Sequence, residues 1–527
     1  MATIDTAALQ HAIDELPTLY PGPGGVVGVV KDGLPIARHA WGFANLETHQ
    51  PFTPSTLMPI CSITKQFTCA TLLSVARDPA ELDHLIHAML PRLEGDKPST
   101  ADLANNQSGL RDYWALTTLS GAMPEGDFRP EDAVKLLGLT RSLHFAPGTA
   151  YSYSNGNFRL LALALEQKTG TPFGDLMMRH VVIPAGLKTA SFVAETGALP
   201  GGAMGYEGSS AIGWRPGINR LHWTGDAGLC MSIDDLMAWE SYIDQTRDDP
   251  DGIYNRLSAP VTFADGTPAS YGRGLVRRTR WGHAMTGHGG AIRGWRLQRY
   301  VVPGERLSVD IAFNHESDSH GAAMHVLAAA LGQSAAPESS DARGAKRYLG
   351  TRLDRRWGLL LDVILGPDGT LAASYDGGSE VLSVGADGIA RGQDMTLSPG
   401  PAGLRIQRPA DAIDSEAVPV GADDANSPAA DLAGTYHSDE LEADLVVENA
   451  GGSWFASFRG FLGTGPLMPV TPITFDLLKL TCHRALDAPA PGVWTLLVHR
   501  AADGKIAGVT VGCWLARGVG FRSTQIK

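Results

Sequence analysis

The chain opens on MATIDTAALQHAIDELP, where apolar positions recur at helical spacing and predict a short amphipathic helix. From Gly24 the pattern changes. GGVVGVVKDGLPIARHAWG reads as two β-rich runs around Asp32-Gly33, a hairpin signal. Between about Ser62 and Gly205 a helical period returns, as in RPEDAVKLLGLT and in FRLLALALEQKTG, which ends on a stop glycine. Strand patterns resume in ASYGRGLVRR, RGWRLQRYVVP and RLSVDIAFN, and HGAAMHVLAAAL predicts a closing helix near Leu331. Residues 1–331 therefore predict an α+β unit: an antiparallel sheet flanked by helices, one face covered by the first and last of them, with a mostly helical insertion.

Two stretches rich in small, polar and proline residues follow and predict linkers at 332–345 and 417–434. They leave two segments, 346–416 and 435–527, dense in short β-type runs. YLGTRLDRRWGLLLDVILGPDGTLAASY and LAGTYHSDELEADLVVENAGGSWFASF share a Gly-Thr entry, an apolar run, a glycine turn and an apolar exit. Two antiparallel β-barrel domains are the expected reading, and the whole chain is multidomain α+β.

A length of 527 residues agrees with two or three domains. The net charge of -13 would repel a phosphate backbone, so nucleic acid is not an expected partner. Cys61, Cys69, Cys230, Cys482 and Cys513 form no CxxC pair, and their odd number argues against a disulfide framework. The first residues show no basic and apolar leader pattern, and no run of about 20 apolar residues occurs. A cytoplasmic protein without a membrane span is expected.

Candidate chemistry lies in three places. In PICSITKQFTCA, Ser62 and Lys65 sit three apart where an apolar segment turns into a helix, so hydroxyl and amine share one face. A serine hydroxyl needs a base to become nucleophilic at pH 7. A lysine of pKa about 10.4 serves only if burial, or a nearby positive charge, lowers it by about three units. The second place is FAPGTAYSYSNGNF, where a loop offers the phenol of Tyr153 as a proton relay and the amide of Asn155 as a group that holds both lysine and substrate. Read singly, Tyr153 equally fits a buried ring, and Asn155 a turn or cap residue. The third is TGHGGAIRGWR, in which glycines beside His288 admit close approach of a ligand to a strand edge. No carboxylate or second histidine stands at ligand spacing near His288, so a metal is not expected; the acyl-transfer chemistry of a serine calls for no organic cofactor either.

Ser62-x-x-Lys65, Tyr153-Ser154-Asn155 and His288-Gly289-Gly290, in that order, resemble the penicillin-recognising serine hydrolases, which include class C β-lactamases, carboxypeptidases and esterases. The resemblance implies a β-lactamase-like catalytic domain. Many members carry Lys-Thr-Gly where this chain has His288-Gly289-Gly290, which puts recognition of a substrate carboxylate at that strand in doubt. Nearly end to end, through NNQSGLRDYWAL, GDAGLC, YHSDELEADL and GCWLARGV, the chain is similar to the D-stereospecific aminopeptidases of that family.

That similarity implies a serine exopeptidase that releases an unblocked N-terminal D-amino acid, small and preferably D-alanine, from peptides, amides and esters. The implied roles make Ser62, Lys65, Tyr153 and His288 catalytic. Asn155, Gly289, Gly290 and Ala291 would bind substrate, with Ser62 and Ala291 N–H groups as the oxyanion hole. Asp487, in the loop HRALDAPAPGV stiffened by Pro489 and Pro491, would meet the substrate ammonium. It also implies a homodimer and β-lactam compounds as inhibitors. An esterase, a β-lactamase, a D,D-peptidase, or a non-catalytic sensor of β-lactams or peptides remains the alternative.

Overall fold

The computed structural model describes residues 4–333, 342–366, 369–375, 378–421, 430–487 and 491–524. The Asp32-Gly33 hairpin is present, with φ of 54° and 75°; positive values at both turn positions give a twist that matches the flanking strands. It joins strand Gly24–Lys31 to strand Leu34–Asn45, and Gly24–Lys31 also pairs antiparallel with Leu307–Phe313. Early and late parts of the chain thus share the centre of one sheet. Its eight strands run, in spatial order, Tyr271–Gly272, Leu275–Arg280, His283–Ile292, Trp295–Val302, Leu307–Phe313, Gly24–Lys31, Leu34–Asn45 and Gln50–Pro51.

Helices Thr6–Leu19 and Ser319–Ala330 cover one face, where Leu9, Ile13, Leu16, Val326 and Leu327 bury against Val27, Val29, Val309 and Ile311. The opposite face packs on the inserted helical region, including helices Thr64–Val75 and Asn155–Thr169. Gly170, at φ 66°, ends the second of these, as its place after the apolar run predicts. A further helix, Ile233–Gln245, is not anticipated by the periodicity reading, although Ser232 caps it through the backbone N–H of Asp235. This helix carries Glu240, which holds Arg299 in a bidentate, fully buried ion pair, and Tyr254 accepts a third hydrogen bond from the same guanidinium. Arg299 is the register partner of His288, so the pair anchors the sheet directly beneath the motif strand His283–Ile292.

Eight strands from Gly350–Asp354 to Ile413–Pro419 form a closed barrel around its own core of Leu359, Leu361, Val363, Leu397 and Ile406. The nine strands from Gly434–Ser438 to Ala516–Ser523 form a second. Pairing of Ala443–Ala450 with Ser453–Gly460 closes a ring of eight, and Gly463–Thr464 hangs outside it. In each barrel the two similar sequence stretches supply the first three strands. Half of the two expected linkers, 334–341 and 422–429, lies outside the described residues, and the last strand of the first barrel continues to Pro419.

The second barrel is not a free appendage. Its interior residues join the apolar cluster of the helical region without a break. Backbones approach closely at the seam: Leu462 N–H donates to Ser120 O, and a Cβ on Gly121 would lie 2.1 Å from Gly463 O.

Removing one partner of a buried ion pair leaves an uncompensated charge and costs about 3 to 5 kcal/mol. Glu240→Ala is therefore expected to lower the thermal unfolding midpoint markedly, as read by circular dichroism; an unchanged midpoint would show that Arg299 needs no counter-charge.

Candidate active site

Ser62 lies in the 3-10 turn Cys61–Ile63, which runs straight into helix Thr64–Val75. Cys61 is fully buried and has φ of 50°, a left-handed conformation that costs a non-glycine residue of order 1 kcal/mol and persists only where packing over-determines it. Part of that packing is the motif strand. A Cβ on Gly290 would come within 2.5 Å of Ile60 O, so only glycine lets the strand lie against the turn that presents the serine.

One helical turn on, Lys65 is fully buried. Its Nζ lies 2.9 Å from Ser62 Oγ, 2.7 Å from Asn155 Oδ1 and 2.7 Å from Asp226 O. Burial lowers its pKa to about 8 against the opposing pull of Asp226, Asp112 and Asp487. No nearby positive charge contributes to this lowering: the charges that act on Lys65 oppose it, and desolvation does the work. The geometry also aims the neutral amine. It has two N–H groups and one lone pair; Asn155 Oδ1 and Asp226 O can only accept, so the lone pair is left for the Ser62 hydroxyl.

Tyr153 OH donates to Ser62 Oγ at 2.8 Å. Burial holds its pKa well above the ordinary phenol value, so Tyr153 stays protonated while Lys65 titrates. Asn155 opens helix Asn155–Thr169, and its Nδ2 donates to Asp112 Oδ1 at 3.1 Å, which orients its carbonyl oxygen toward Lys65. Asp112 is itself buried and pushed up to about 6 by desolvation. Asp226 is held by Tyr113 OH and Trp114 Nε1, at 2.9 and 3.0 Å, which fixes the backbone carbonyl that Lys65 meets.

His288 stands apart from this cluster. Its Nδ1 donates to Gly289 O at 2.6 Å, so Nε2 accepts from Tyr271 OH at 3.1 Å. Burial and the nearby Lys65 lower its pKa to about 3, so the ring is neutral. The His288 ring lies 6.0 Å from that of Tyr153 and braces it; its two hydrogen bonds go to Tyr271 and Gly289 and not to Ser62 or Lys65.

Ser62, Tyr153, Asn155, Gly289, Gly290, Ala291 and Asp487 line one cavity of about 330 Å³. Asp487 arrives from the second barrel on a loop clamped to the first unit. Buried Arg293 donates to Ala485 O at 2.6 Å, and Arg484 bridges Glu125 and Glu207 at 2.8 and 3.0 Å. Pro489 lies outside the described residues, whereas Pro491 borders the cavity.

The beta-lactamase family matches residues 9–333, and the family described as D-aminopeptidase, domain B, matches 341–522. A D-aminopeptidase of Brucella canis is 45% identical over 99% of this chain and 100% of its own. The chain belongs to the D-aminopeptidase family. The D-aminopeptidase of Cereibacter sphaeroides is 46% identical, over 98% of this chain and 99% of its own. An octameric penicillin-binding protein homologue from Pyrococcus abyssi shares the fold, with a TM-score of 0.54 at 18% identity, covering 90% of this chain and 98% of that one. No group of three or more potential metal ligands occurs among the described residues, and no described helix is long and apolar enough to cross a membrane.

Sequence reasoning assigned no part to Asp112, Asp226, Tyr113 or Tyr271. Asp112 and Asp226 stand in RDYW and GDAG, where a carboxylate reads as a cap or turn residue, and only the fold sets them behind Lys65.

Because the neutral amine becomes the majority form above about pH 8, sulfonylation of Ser62 by a serine-directed sulfonyl fluoride, with loss of fluoride, is expected to speed up about tenfold per pH unit below that value and to level off above it. Inactivation rates from pH 6 to 10 measure this. A midpoint above 10 would mean that Lys65 keeps an ordinary ammonium.

Proposed function

We propose that this enzyme is a D-stereospecific aminopeptidase whose acyl-enzyme forms on Ser62, and that it takes an unblocked N-terminal D-residue with a small side chain from peptides, amides and esters. One observation carries the reading: a carboxylate from the second barrel, Asp487, borders the same 330 Å³ cavity as Ser62. A nucleophile alone serves any acyl donor, whereas an anion set at its cavity wall selects a substrate ammonium through a charge-assisted hydrogen bond. Ala485 and Pro491 of the same loop also border the cavity, which supports a site with little space for residues preceding the reacting one.

In this mechanism Ser62 Oγ attacks the carbonyl carbon of the first residue as its proton moves to the lone pair of Lys65. Backbone N–H groups of Ser62 and Ala291 receive the oxyanion, where loss of one donor costs about 3 kcal/mol. The departing amine takes, with Tyr153 as relay, the proton that Lys65 received from Ser62. Water then repeats the sequence on the D-aminoacyl ester. The apparent pKa values belong to the coupled set. Asn155 positions Lys65 and substrate, and His288 with Tyr271 braces Tyr153.

Selection of one hand follows from three fixed points: ammonium at Asp487, carbonyl in the oxyanion hole, and side chain in the space bounded by Trp114, Ala115 and Leu515. A small side chain, such as that of D-alanine, is the expected guest there.

A plain esterase of the same fold would not need Asp487. Asp487→Asn is expected to lower kcat/KM for D-alanine p-nitroanilide by about 10- to 100-fold, the range for a lost hydrogen bond to a charged group. Turnover of a p-nitrophenyl ester that lacks an amine should be preserved. Equal losses on both, or no loss on either, would remove the aminopeptidase reading and favour the esterase. A lasting D-alanyl adduct on Ser62 by mass spectrometry would favour the sensor.

A further inference from the structure

The cavity beside Ser62 does not end at the motif strand. Gly289 and Gln298 border both it and a larger cleft of about 1200 Å³ between the main sheet and the first barrel. The strand Leu275–Arg280 pairs with the motif strand only as far as Gly287, so that edge is free of a neighbouring strand from His288 onward. An edge of this kind accepts an extended peptide through main-chain hydrogen bonds. Direction is set at the other end. Ala485, two residues before Asp487, is bound by Arg293 just past the end of the motif strand. A substrate with its ammonium at Asp487 therefore runs back along the free edge as far as His288 and continues beyond it into the cleft.

The cleft contains four arginines, and three have carboxylate partners. Arg391 pairs with Asp387, Arg408 with Asp411, and Arg278 comes within 4.0 Å of Asp394. Glu380, the other acid facing the cleft, accepts from the backbone N–H of Asp394. Arg280 has no ion pair among the described residues, and its Nε is buried without a hydrogen-bond partner.

Arg280 is also held in place. It ends its strand at the two-residue turn Trp281-Gly282, with φ of 51° and 77°. Tryptophan is uncommon in the left-handed region. Here its ring lies 5.3 Å from the Arg280 guanidinium, a stacking that fixes the plane of the fork and leaves its edge for a planar anion.

We propose that this cleft holds the leaving-group side of the substrate and that Arg280 binds the C-terminal carboxylate of short peptides. The inference rests on the aminopeptidase reading and deepens it: the substrate class is free oligopeptides that begin with a D-residue, recognised by charge at both ends. From Gly289 to His283, the register partner of Arg280, the strand advances about 20 Å at ~3.3 Å per residue. Allowing for the reach of the arginine side chain, the best substrates have about four to six residues in extended form.

The test compares peptides of D-alanine followed by one to five glycines, each as the free acid and as the C-terminal amide. In the wild-type enzyme the acid-to-amide ratio of kcat/KM is expected to be near one for the dipeptide and to reach about tenfold at four to six residues, the effect of one charge-assisted pair. Arg280→Gln should bring that ratio back toward one, and Arg280→Lys should keep part of it. Each ratio is taken within a single preparation, so the amount of folded enzyme cancels. A ratio that does not depend on length, or that Arg280→Gln leaves unchanged, overturns the assignment. Failure of the underlying reading looks different: the wild-type enzyme would leave D-alanine p-nitroanilide intact.

Discussion

The site depends on a lysine kept out of water. An ammonium buried without compensation is costly, and the fold meets that cost with three hydrogen-bond partners for Lys65 Nζ and with carboxylates behind them. The balance leaves the amine poised at about 8 instead of fixing it as a permanent cation. Had Asp226 offered its carboxylate to Lys65, a tight ion pair would have formed. Tyr113 and Trp114 occupy that carboxylate instead, and the lysine meets only the backbone carbonyl. The same arrangement gives a stable interior and an amine that loses its proton near pH 8.

The rest of the architecture brings distant segments to that lysine. The turn before it carries a strained Cys61 and is pressed by Gly290; the motif strand bearing Gly290 is held from below by the buried Arg299–Glu240 pair. The second barrel adds a wall. Asp112 N–H donates to Leu515 O, Arg111 pairs with Glu440 and donates to Arg517 O, and these contacts sit one residue from the groups that orient Asn155. Docking of the last barrel and alignment of the catalytic groups are thus parts of one structure, and the cavity is incomplete in the first 333 residues alone.

Much of this was legible from residue patterns. The hairpin at Asp32-Gly33, the helix stop at Gly170 and the two β-rich barrels follow from turn chemistry and periodicity, which are local. The pairing of Ser62 with Lys65 was legible because three-residue spacing on a helix is itself a distance. Asn155 and Tyr153 were readable as candidates, but the carboxylates behind them were not, since nothing local marks Asp112 or Asp226 as groups behind a lysine. Burial was named as one source of the lowered lysine pKa and is the one at work; the second, a nearby cation, is replaced by carboxylates that only the fold brings close. His288 looked like part of the chemistry, and its bonds to Tyr271 and Gly289 depend on a long-range approach that no spacing reveals.

The central claim is that a lysine-armed serine is restricted to free D-amino termini by a carboxylate lent from another domain. The most direct test measures the wild-type enzyme on the p-nitroanilides of D-alanine, L-alanine and N-acetyl-D-alanine under one set of conditions. The account predicts turnover of the first alone. Comparable hydrolysis of the acetylated compound would contradict it, because an acyl donor without an ammonium has nothing to offer Asp487.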